Sequence, residues 1–223
     1  MMARRSAIGL LVGGVAAVMG GCSLFGNRGF RFKMTVEVET PQGLRSGSSV
    51  FEVETVNTTD LVAGGKGSRF EYRGEAVSVD LPDGQSLFAL LKTVAMPGHD
   101  NVVVSSMVAM DPAFDFDWMA STKRIAASEN IRSPAEVPAG YYPMLVMFGD
   151  IDDPTTVEEV APTSIGLKRI TVEVTDDQTT MELERRLRWL GVSPDPRLDN
   201  DFKPTPAPTL AQKLKHGDFQ RGQ

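Results

Sequence analysis

A chain of 223 residues with 23 Lys and Arg against 29 Asp and Glu carries a formal net charge of −6. A surface of that sign repels phosphate backbones and anionic headgroups, which argues against a nucleic-acid partner. One cysteine rules out an intrachain disulfide and two histidines leave little imidazole chemistry, so stability must come from a hydrophobic core.

The chain opens "MMARRSAIGLLVGGVAAVMGGCSLFG", with Arg4 and Arg5 ahead of an uncharged run from Ser6 to Asn27. That is the layout of an export signal, and residues 1–21 are set aside from fold reasoning. In "VMGGC" the sole cysteine, Cys22, follows two glycines. This resembles the lipobox of bacterial lipoproteins, with Met19 where that pattern usually has Leu, Val or Ile. The resemblance implies cleavage before Cys22, a lipid on the new N-terminal residue, and attachment to a membrane on the periplasmic side. Ser23, where Asp would act differently, resembles the lipoproteins sorted on to the outer membrane. The competing reading keeps the segment as a single-pass anchor in the inner membrane, since about 20 residues cross a bilayer. Gly9, Gly13, Gly14, Gly20 and Gly21 make it a poor helix. Cleavage would leave 202 residues with 21 basic and 29 acidic side chains, so membrane attachment falls to the lipid.

Residues 22–29 read as a linker. From Phe30, "FRFKMTVEVE" alternates Phe30, Phe32, Met34, Val36 and Val38 with polar residues, the period of a half-buried strand. "TPQGLRSGSS" (40–49) follows, then Phe51 and Val53 alternate with Glu52 and Glu54. The glycines, proline and serines predict a hairpin connection about ten residues long, above the usual two to five. That length marks Leu44 and Arg45 as a candidate partner-contact loop. Phe70 and Tyr72, then Val77, Val79 and Leu81, continue the strand pattern to a "PDGQ" turn. "LFALL" fits a buried strand or a helix start, and the β-branched residues of "NVVVSSMVAM" (101–110) predict a strand.

Asp111 as N-cap and Pro112 at the first helical position predict a helix over "DPAFDFDWMASTKRIAASE". "YYPMLVMF" (141–148) reads as a strand buried on both faces, and "KRITVEVTD" as an alternating one. Thr179 and Glu182 at capping-box spacing, the stripe Leu183, Leu187 and Leu190, and Gly191 predict a last helix. Residues 192–223, with five prolines between 194 and 208, read as a Pro-rich tail docked loosely at most. The sum is an α+β, β-rich domain over 30–191, mainly an antiparallel sandwich or partial barrel with two late helices. A boundary near residue 135 is the alternative.

The stretches "KMTVEVETPQGLRSGSSVFEV", "GEAVSVDLPDGQSLFALL" and "LKRITVEVTDD" together resemble a group of uncharacterised bacterial proteins. The resemblance implies one recurring module and no assigned activity or catalytic residue.

The residues offer no catalytic pattern of their own. Gly43 and Gly47 lead into a strand, whereas a phosphate cradle or serine elbow leads into a helix. Counting from Asp150, an EF-hand would need Gly and Glu where Thr155 and Pro162 stand. Asp111, Asp115 and Asp117, like Asp150, Asp152 and Asp153, therefore read as solvated loops or caps. No metal or cofactor is expected. Phe114, Phe116 and Trp118, or Tyr141 and Tyr142, are either core or the lining of a binding groove. The expectation is a lipid-anchored envelope protein that binds a protein partner or serves a structural role. The alternatives are an exported hydrolase uniting Ser48, His99 and an acidic side chain, with His216 the only other imidazole, or a carrier with a cavity lined by Met34, Val36, Phe51 and Val53.

Overall fold

The computed structural model describes residues 29–59, 66–93, 101–128, 132–191, 193–200 and 207–222. The sequence period places the first strand, β1 (Gly29–Thr40), whose five apolar side chains are buried while the residues between them face outward. β1 pairs antiparallel with β2 (Gly43–Thr59) along its whole length, Phe32 opposite Phe51 and Thr40 opposite Gly43. The chain continues through β3 (Lys66–Glu75), β4 (Val77–Asp80) and β5 (Ser86–Thr93). Helices α1 (Val102–Met110) and α2 (Trp118–Ala127) follow. Then come β6 (Ala135–Glu136), β7 (Pro143–Phe148), β8 (Val157–Glu159) and β9 (Leu167–Val174). A short α3 (Leu210–Lys213) and β10 (Gln220–Arg221) complete the order.

Two antiparallel sheets result, β10-β3-β2-β1-β9-β6 and β4-β5-β7-β8, with no closed barrel. β1 is central because both neighbours match its buried face: Met34 lies opposite Val172 and Val36 opposite Ile170. On the outer face Lys33 pairs with Glu173 at 2.5 Å and Glu37 with Arg169 at 2.6 Å. The sheets meet where β2 crosses β4, so closely that a Cβ on Gly47 would stand 1.9 Å from the Ser78 carbonyl oxygen. Leu87 to Leu91 of β5 are buried on both faces, between the first sheet and a cover formed by the C-terminal segment.

Several sequence expectations are corrected. The stretch 40–49 is strand joined by a two-residue turn at Pro41 and Gln42, and Leu44 and Arg45 lie in β2 opposite Glu39 and Val38. Gly43, at φ +106°, supplies the positive φ that lets so short a turn close. Residues 102–110 form a helix: the Asn101 side chain accepts from the Val103 and Val104 N–H groups, and Val102 to Met107 are buried. A helix buried all round carries no amphipathic period, so its sequence reads like a buried strand. Asp111 ends α1, its N–H donating to the Met107 carbonyl. Asp117, whose side chain accepts from the Ala120 N–H at 3.0 Å, caps α2 in its place.

The last predicted helix is reduced to a single 3₁₀ turn, Leu183–Arg185, although Leu183, Leu187 and Leu190 are buried as that stripe requires. Its cap is remote. Glu75, at the end of β3 and 5% exposed, accepts from the Glu182 and Leu183 N–H groups at 2.5 and 2.7 Å. The described residues of the 192–223 stretch, 193–200 and 207–222, are firmly docked. Residues 194–199 pair with 211–217 through main-chain bonds, Thr209 and Gln212 form a capping box at α3, and β10 pairs with β3. Phe219 is fully buried among Phe88, Phe148 and Trp189, ring centroids 5.4 to 6.4 Å away.

Replacing Phe219 with Ala removes that ring and is expected to cost about 3–5 kcal/mol in urea unfolding. A loss under about 1 kcal/mol would mean the C-terminal segment is not part of the core. Burial raises the Glu75 carboxyl above its ordinary range; the Leu183 and Glu182 amides oppose this, and the Glu182 and Glu184 charges add to it. The folded state thus holds its proton more tightly than the unfolded one. The Glu75 contribution is therefore greatest below the unfolded pKa and falls as pH rises through the folded one. Relative to Glu75→Gln, the wild type should lose stability across that interval, measured by urea unfolding at a series of pH values. A pH-independent difference would refute it.

Candidate functional site

A cleft of about 740 Å³ opens where β3 meets the C-terminal segment. Its walls include Phe70 and Tyr72 of β3, Lys92 at the end of β5, Lys215, and Gln220 and Arg221 of β10. Each wall is placed by something already described. Phe70 and Tyr72 project from the same face of β3, and the Phe219 ring, locked in the core, sets the position of Gln220 beside it. The Arg221 guanidinium lies 5.2 Å from the centre of the Tyr72 ring and donates through Nε to the Gly217 carbonyl at 3.1 Å. Three cations, Lys92, Lys215 and Arg221, are balanced by Glu71, Asp195 and Asp218, so the lining is close to neutral while the chain as a whole is acidic.

Gln220 sets this cleft apart. It is 7% exposed, and neither its Oε1 nor its Nε2 has a hydrogen-bond partner among the described residues. The Ser49 and Thr93 hydroxyls share that condition, but neither lines the cleft. A buried amide that makes no bond forfeits about 1–3 kcal/mol for each unmatched group. A carboxamide offers one acceptor and two donor hydrogens, so a ligand with both kinds of group can satisfy it. Nothing in the sequence singled out this residue, a glutamine in a polar, proline-rich segment. The only nearby signal is Phe219, a large apolar residue that needs a place to be buried.

The residues expected from sequence fall elsewhere. Cys22 and His99 lie outside the described residues, and with His99 goes the serine and histidine pairing suggested for Ser48, which is exposed on β2. His216 is structural: its Nδ1 accepts from the Gly191 N–H at 3.2 Å, its ring packs on Trp189, and burial lowers its pKa. Asp111 is buried against Arg124 at 2.8 Å. Burial pushes its carboxyl up, but the Arg124, Ser121 and Ala113 hydrogen bonds hold it below the ordinary range. Asp150 accepts from the Asp152 N–H, and Asp153 accepts from both the N–H and hydroxyl of Thr155, which lowers its pKa. These carboxylates build turns, and among the described residues no group of three His, Cys, Asp or Glu side chains is placed to hold a metal ion.

The aromatic residues of the α1–α2 connection pack on one another. Trp118 lies 4.3 Å from Phe70 and 4.9 Å from Phe114, with Phe116 beside them at φ +66°. Tyr141 and Tyr142 are half-buried, the main-chain carbonyl of Tyr141 accepting from the Ser105 hydroxyl. Met34, Val36, Phe51 and Val53 pack into the core, Phe51 stacked on Phe32 at 4.9 Å. Among the described residues no helix is long and apolar enough to cross a membrane. No protein-family model, curated protein or solved structure matches the chain.

Proposed function

We propose that this chain is a lipid-anchored protein of the cell envelope, held through Cys22 on the periplasmic side of the outer membrane, and that it works by binding a protein partner. The observation that carries the binding half is the Gln220 carboxamide, buried beside an open cleft with both polar atoms unmatched. A buried carboxamide that the protein leaves unmatched takes its partner from outside the chain, and beside an open cleft a ligand group can supply it. The near-neutral lining suits a partner recognised through polar contacts and ring faces, with no demand for net charge. Leu44, 49% exposed on the β1–β2 hairpin, and its neighbour Arg45 are the proposed second contact.

The anchor half rests on the basic and apolar opening segment and on "VMGGC". A linker over residues 22–29 can span at most about 28 Å when fully extended. The start of β1 would then stay within that distance of the bilayer.

Metabolic labelling with a palmitate analogue tests the anchor: wild type should incorporate label and Cys22→Ser should not. Label that persists in the variant would exclude Cys22 as the lipid site. For the cleft, the full ¹⁵N-labelled chain in detergent micelles can be titrated with a pool of blocked peptides and, separately, of short oligosaccharides. The peptide pool should move the Gln220 side-chain amide signal, with affinity at least tenfold weaker in Gln220→Ala, and movement by the oligosaccharide pool alone would exclude a protein partner. Gln220 signals that stay fixed with every pool would sink the assignment of the cleft.

A further inference from the structure

The six-stranded sheet ends in an edge only two residues long. β10 sets Gln220 opposite Glu75 and Arg221 opposite Gly74. Gly222 then takes φ +84° against Arg73, and the chain leaves the ladder. β3 runs on past this point, and from Lys66 to Phe70 no strand among the described residues lies across it on that side. Alternation decides which main-chain groups the edge presents. The Ala76 N–H donates to the Phe219 carbonyl on the β10 side at 2.7 Å. Successive residues of a strand turn their N–H and C=O groups to opposite sides, so those of Gly74, Phe70 and Ser68 face the same way as Ala76. Such a row is a template for another strand.

The cleft lies along this edge, with Phe70 and Tyr72 of β3 and Gln220 and Arg221 of β10 in its lining. Resting on the reading of that cleft as a binding site, we infer that its ligand is an extended polypeptide segment of the partner, added to β3 as a further strand continuing the line of β10. Only an extended main chain supplies alternating donors and acceptors at the strand repeat of about 6.8 Å for two residues. The Gln220 carboxamide, carried on β10, has the hydrogen-bonding set of a peptide group. Side chains of the added strand that face the core side meet the Phe70 and Tyr72 rings. The balanced charge of the lining leaves recognition to main chain and apolar groups. Sugar hydroxyls could satisfy Gln220 but not the row of Phe70 and Ser68.

The test uses the full ¹⁵N-labelled chain in detergent micelles with a pool of blocked, uncharged, proline-free octapeptides, and the same pool N-methylated at every amide. The unmodified pool should shift the Phe70 and Ser68 amide signals, and methylation should weaken binding at least tenfold. Ser68→Pro deletes an outward N–H that the sheet does not use. It should weaken binding by the same factor and leave the unfolding midpoint within a few degrees. Equal affinity for both pools, or binding indifferent to Ser68→Pro, overturns strand addition. If such binding is still lost in Gln220→Ala, the cleft itself stands. Concentration-dependent dimerisation abolished by Ser68→Pro, without peptide binding, assigns the edge to a second copy and also overturns the inference. No response from peptide or oligosaccharide pools removes both readings.

Discussion

One buried ring holds the cleft end of this molecule together. Phe219 is packed among Phe88, Phe148 and Trp189, and Gln220 and Arg221 stay on the sheet because of it. The two paired residues of β10 alone would not hold this strand, because so short a ladder barely offsets the entropy of ordering it. With the ring in place the consequences are geometric. Gln220 is drawn under the surface, Arg221 is laid across Tyr72, and the cleft gains its second wall. The remote cap that Glu75 places on residues 182 and 183 works in the same direction, fastening the cover from its other end.

The strands were legible because a sheet with one face in the core writes its period into the chain. β1 from Phe30 to Val38 and β9 from Ile170 to Val174 show every second residue apolar, and each of those residues is buried. The sandwich follows from such strands with short turns between them. What escaped were elements whose cause lies far away in sequence. The valines of 102–104 favour a strand locally, yet burial on all sides and the Asn101 cap make them a helix. The Thr179 and Glu182 spacing promised a local cap, but Glu75 takes the amides that such a cap needs. Glycine and serine in 43–49 resembled a loop; Gly47 is there because another strand passes over it.

The site was less legible than the fold, for a related reason. The proposed lipid attachment rests on a linear pattern around Cys22, whereas the cleft is made by β3, β5 and residues 215–222 meeting in space. Proline content marked the C-terminal segment as a loosely docked tail, but its described residues form α3, a 3₁₀ turn at 216–218 and β10, and pack against the core.

The order of the sheet has a kinetic side. β1 finds β9 only when Phe32 meets Val174, and β3 finds β10 only when Glu75 meets Gln220. Loops of about 140 residues must close before those contacts repay their entropy, which places this topology among slow folders, milliseconds to seconds. Until then β1 shows a flat row of Phe, Met and Val with no partner on one side, the state in which β proteins aggregate. Contacts that close so late should be absent from the folding transition state. Weakening the C-terminal clasp should then quicken unfolding far more than it slows folding.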